Sequence, residues 1–96
     1  MKFRILIPIY NDWQSVTELL DNIDHNLSGI DSEISVIIVN DASNHDRKEE
    51  VKTFENIHSI KILNMRINQG HARCIATGLK YIYQKEDFDY VIPMDG

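Results

Sequence analysis

Two short segments of this chain, residues 3–9 (FRILIPI) and 34–39 (ISVIIV), are almost unbroken runs of apolar side chains. A strand with one wet face alternates apolar and polar residues, whereas a strand covered on both faces does not. These runs therefore call for a parallel sheet with helices on each side. Between them, Val16, Leu19, Leu20, Ile23 and Leu27 recur at helical spacing, and Ser15 with Glu18 forms an S-x-x-E capping box at the start. The helix is expected to end near Ser28-Gly29. Two strands joined by one helix imply parallel pairing with a right-handed crossover.

The rest of the chain continues the alternation. Residues 59–63 and 90–94 read as further strands, 47–54 as a short polar helix with Asp46 as its cap and Glu49 at the capping-box position, and 71–85 as a third helix. Ala72, Ile75, Ala76, Leu79, Ile82 and Tyr83 lie on one face of that last helix. The order β-α-β-α-β-α-β predicts an α/β, Rossmann-like parallel sheet. With 96 residues the chain is one domain or less. Its 43% apolar and 26% charged residues suit a packed core.

A formal charge of −5, without a Lys/Arg stripe, argues against nucleic acid as a partner. The single cysteine, Cys74, rules out an internal disulfide framework and fits a reducing, cytoplasmic setting. No apolar run approaches the ~18 residues of a membrane span, and Met1 leads almost directly into a strand rather than a signal peptide.

Ligands of open parallel sheets bind beyond the carboxyl ends of the strands. A dinucleotide would need G-x-G-x-x-G after the first strand, but the turn there is PIYNDWQS; no G-x-x-x-x-G-K-[ST] occurs either. Three strand ends carry a carboxylate instead: Asp12, Asp41 and Asp95. Mg²⁺ or Mn²⁺ takes oxygen ligands from carboxylates and substrate phosphates, so Asp95 is a candidate anchor for a metal-bound diphosphate. Asp41 can accept from a base N–H or ribose hydroxyls, and Tyr10 can stack on a base. Turn formation, helix capping and packing are the plain alternatives for these residues and for Asn68 and Gly70. His71 reads as a capping or packing residue, Cys74 as a small core filler, Trp13 as a wedge, and His25, His45 and His58 as surface.

Taken in order, IPIYND (residues 7–12), VNDAS (39–43), NQGHARCIATGL (68–79) and the terminal MDG resemble the successive motifs of family 2 glycosyltransferases: P-x-Y-N-E, D-D-x-S, N-x-G with a glycine eight residues on, and the opening of D-x-D. The N-x-G-H form is similar to the branch acting on polyprenyl phosphates such as dolichyl phosphate. The resemblance spans the whole chain. It implies the nucleotide-binding half of a GT-A domain, incomplete at its carboxyl end. Pro8, Tyr10, Asp12, Asp41, Asn68 and Gly70 would then surround the nucleotide, and Asp95 would be the first D-x-D aspartate, holding the divalent cation.

The implied reaction is transfer of a sugar from a nucleotide-diphosphate donor to a lipid-phosphate or glycan acceptor, at the cytoplasmic face of a membrane. Membrane attachment through a later segment and homo-oligomerisation belong to the same expectation, as does a piece that cannot turn over alone. Asn40 and Ile75 depart from the family's usual acid and arginine, and the second D-x-D acid would fall at position 97. Two rivals remain: a non-catalytic nucleotide-binding or interaction module, and a sugar-phosphate nucleotidyltransferase, which should show a glycine-rich loop after the first strand. A four-stranded half-sheet is also expected to leave an apolar edge open and to be poorly soluble or dimeric by itself.

Overall fold

The structure is a computed structural model that describes residues 1–41 and 54–94. Its elements are β1 (Lys2–Ile9), α1 (Trp13–Asn26), β2 (Glu33–Asn40), β3 (Ser59–Asn64), α2 (His71–Lys85) and β4 (Tyr90–Pro93). All four strands are parallel, in the order β3-β2-β1-β4. This is the expected Rossmann-like arrangement. The helix expected over 47–54 lies outside the described residues except for Phe54, which is buried and not helical.

The two apolar runs are explained by where successive side chains go. On β1 and β2, Ile5, Ile7, Ile9, Ile34, Val36 and Ile38 join Val16 and Leu20 of α1 in one core. The alternate residues Leu6, Ile37 and Val39 join Cys74 and Ile82 of α2 in the other. Both faces of the central strands are covered, so neither register of the alternation is polar.

Gly78 lets α2 approach the sheet. A Cβ built there would lie 2.3 Å from Leu6 Cδ1 and 3.1 Å from Val39 Cγ2, which a native side chain could not tolerate without movement. The glycine eight residues after Gly70 therefore has a packing cause.

Arg4 is the exception in β1, a charge only 6% exposed. Its guanidinium donates to Glu33 Oε2 at 3.0 Å, the Asp87 carbonyl at 2.8 Å and the Phe3 carbonyl at 3.2 Å, and its Nε faces Glu86 Oε1 at 3.0 Å. Lys61 pairs with the other oxygen of Glu86, and Lys2 with Asp87 at 2.6 Å. A buried guanidinium is tolerated only when paired in this way. The network ties β1, β2, β3 and the α2–β4 turn together at the amino ends of the strands, away from the ligand end.

The helix start differs from expectation. Asn11 takes a left-handed φ of 57°, a conformation Asn adopts more readily than most residues, and so turns the chain immediately after β1. Asp12 then becomes the N-cap, its carboxylate accepting from the Ser15 N–H at 3.3 Å. Ser15 is thus already inside α1, and the S-x-x-E box is not the cap. Trp13 packs against the α1-side core, as a wedge would.

Candidate active site

Strand register brings the site together. Pro8 is level with Val39, Ile9 with Asn40, and Asn40 in turn with Asn64, so Tyr10, Asp41 and Met65 leave the sheet side by side. Backbone bonds continue past the strands: Asp41 N–H donates to the Ile9 carbonyl at 2.8 Å and Met65 N–H to the Asn40 carbonyl at 2.9 Å. The Asn40 amide donates to Asn64 Oδ1 at 3.0 Å. At the other flank, Met94 N–H donates to the Leu6 carbonyl at 2.8 Å, holding the chain beside β1 to within one residue of Asp95.

Asp41 is 5% exposed and its carboxylate is well occupied. Oδ1 accepts from Gln69 N–H at 2.7 Å and Oδ2 from Gly70 N–H at 3.0 Å, while the Asn68 side-chain amide donates to the Asp41 carbonyl at 3.3 Å. Gly70, at φ 88° and ψ 164°, occupies a region open essentially to glycine alone. That conformation lets Gly70 present its N–H to Asp41 immediately before α2 begins. One turn into the helix, the Cys74 thiol also reaches Asp41. Burial above all, then the hydrogen bond to Asp41 and its charge, push this thiol up to about 11. It is protonated at neutral pH.

Pro8, Ile9, Tyr10, Asp41, His71 and Cys74 line a cavity of about 90 Å³. Tyr10 of that lining is 46% exposed. Complete small-molecule sites run to roughly 300–1,000 Å³, so this cavity is of a size for part of a ligand. A larger depression of about 530 Å³, among Lys2, Asp31, Glu33, Glu55 and His58, lies at the amino ends of the strands. Sheet ligands bind at the opposite end, which makes the smaller cavity the candidate.

Of the residues singled out by sequence, Pro8, Tyr10 and Asp41 thus share one cavity, and Asn68 and Gly70 reach it through Asp41. Asp12 is not in its lining and caps α1. Asp95 lies outside the described residues, as do Asp46 and Glu49. Among the described residues no group of three or more His, Cys, Asp or Glu is arranged to hold a metal. Ile75 packs into the α2-side core.

Sequence reasoning passed over His71 and Cys74 as cavity residues. Their i, i+3 spacing at the start of a helix that follows a glycine places both on one face, and that was the available signal. The cap of α2 is Gly70, without a side-chain bond, so His71 is not the cap.

The profile of glycosyl transferase family 2 matches residues 4–96. Poly-beta-1,6-N-acetyl-D-glucosamine synthase of Staphylococcus epidermidis is 28% identical over 94% of this chain and 20% of its own length. Undecaprenyl-phosphate 4-deoxy-4-formamido-L-arabinose transferase of Proteus mirabilis is 30% identical over 98% of this chain and 28% of its length. Dolichol-phosphate mannosyltransferase of Pyrococcus furiosus is 28% identical over 83% of this chain and 22% of its length. The chain thus spans about a fifth to just over a quarter of the relatives it matches. No solved structure matches it significantly.

Proposed function

The chain belongs to glycosyl transferase family 2, and from that membership we propose that the complete protein transfers a sugar from a nucleotide-diphosphate donor to an acceptor, with the nucleoside entering the Pro8–Tyr10–Asp41 cavity. The observation that carries this reading is the convergence of those three side chains on one cavity at the carboxyl ends of the strands. Tyr10 offers a ring for the base and Asp41 an acceptor for an N–H or O–H of the nucleoside.

The acceptor we propose is a polyprenyl phosphate. Two relatives are named for such lipids, and the N-x-G-H form of residues 68–71 is similar to that branch. A phosphate acceptor is already ionised and needs no general base. A glycan acceptor is the second reading, favoured by the similarity to a polysaccharide synthase. No described helix is long and apolar enough to cross a membrane, so attachment to the cytoplasmic face would rest on another part of the complete protein.

In the same proposal Asp95 would hold Mg²⁺ or Mn²⁺. The β1–β4 pairing supports it by carrying the chain to the flank of the cavity. The cation, when bound, neutralises charge on the departing diphosphate.

The test is titration calorimetry of the complete protein with uridine, guanosine, cytidine and adenosine diphosphates, with and without Mn²⁺, followed by transfer of labelled sugar to undecaprenyl phosphate. One nucleoside diphosphate should bind in a cation-dependent way. Tyr10→Ala should raise its Kd roughly 5- to 150-fold, the equivalent of about 1–3 kcal/mol of base stacking. Binding without transfer to lipid or glycan would favour a non-catalytic module, and no binding of any of the four would sink the reading.

A further inference from the structure

We propose that Asp41 is a positioning residue, an internal anion that clamps the turn before α2 to the end of β2 and orders the wall of the nucleotide cavity before any ligand arrives. An ionised carboxylate has about four acceptor positions. Gln69 N–H takes one of them on Oδ1 and Gly70 N–H one on Oδ2, and the residue is almost wholly buried. Each oxygen is thus already engaged by a backbone N–H of the turn before any nucleoside arrives.

The donors also show why the turn needs an anion from outside. Gly70 has no side chain to cap α2, and no acidic residue lies in the first turn of that helix. The amino end of a helix carries partial positive charge and orphan N–H groups, which favour a nearby anion. In many nucleotide-binding folds a ligand phosphate fills that place. Here a carboxylate from another strand stands beside it. Asn68 adds a third tie by donating to the Asp41 carbonyl, so the whole Asn68–Gln69–Gly70 turn hangs from one residue. Preorganising the wall lowers the ordering cost of binding. That functional consequence rests on the nucleoside reading above; the clamp itself does not.

The experiment is residue-resolved hydrogen exchange on the complete protein without ligand, read by mass spectrometry with electron-transfer fragmentation. In the wild type, the Gln69 and Gly70 amides should exchange roughly 10- to 100-fold more slowly than that of exposed Ile67, as hydrogen bonds to a charged acceptor require. Asp41→Asn swaps one acceptor oxygen for a donor. It should release one or both amides to the Ile67 rate while β1 and β2 keep their protection, and raise the Kd of the bound nucleoside diphosphate by a similar factor.

Wild-type amides exchanging as fast as Ile67 would overturn the clamp, and that comparison stands even where the variant fails to fold. A folded Asp41→Asn protein with unchanged protection at Gln69 and Gly70 would overturn it too. Protected amides in a protein that binds none of the four nucleoside diphosphates would uphold the clamp and remove only the functional reading.

Discussion

Gly70 and Cys74 show how much of the site depends on single backbone and side-chain states. At φ 88° and ψ 164° any residue with a Cβ is strained even though nothing crowds the position, so Gly70→Ala should cost about 1–3 kcal/mol, read as a lower urea midpoint. The same change should loosen the Gly70 N–H bond to Asp41. Cys74 is fully buried and its thiol is pushed from 9.0 up to about 11. Two units mean roughly a hundredfold less thiolate at any pH well below 9. Labelling by a disulfide reagent at pH 7.5 should accordingly be at least about 100-fold slower in the native protein than after denaturation. Rapid native labelling would contradict the burial of Cys74.

Helix α2 is set by Gly78 as much as by its apolar stripe. Leu6, whose side chain a new Cβ would meet at 2.3 Å, is itself fully buried and has little room to yield. Gly78→Ala should therefore destabilise by about 1–3 kcal/mol through overpacking, despite alanine's better helix propensity. Chemical denaturation of the pair measures this, and a gain in stability would show that the helix–sheet contact is looser than described. Because α2 also carries His71 and Cys74, displacing it should weaken nucleotide binding along with stability. Strand β4 is the shortest of the sheet and lies at its edge. Tyr90 stacks on Phe3 with ring centroids 5.4 Å apart, yet Tyr90 and Ile92 stay exposed on this edge.

Across the molecule, the charged network around Arg4 and the candidate cavity lie at opposite ends of the sheet. The network around Arg4 holds Glu33 below its ordinary carboxylate range, chiefly by the Arg4 hydrogen bond, and holds Asp87 down through the Lys2 hydrogen bond and charge. Carboxyls depressed in the folded state contribute stability above their unfolded values of 4.5 and 3.8, and lose it as pH falls through the lower folded values. Lys2 and Lys61 are raised by Asp87 and Glu86, so their share is complete below 10.5 and fades above it. The melting temperature should be level near neutrality and fall below about pH 4.5, and Glu33→Gln should flatten that acid limb; an unchanged limb would remove Glu33 from the account.

The four strands, the two described helices and the parallel order were legible in the sequence, because apolar periodicity reports directly how many faces of an element are covered. The same motifs already pointed to the family that residues 4–96 match. Residue-level roles were not legible. That both Asp41 oxygens accept from the turn before α2, and that His71 and Cys74 share its cavity, follow from contacts between segments some 28 to 33 residues apart in the chain. Those contacts exist only once the strand register has set Tyr10, Asp41 and Met65 side by side, and local patterning carries no record of which donor meets which acceptor across the fold.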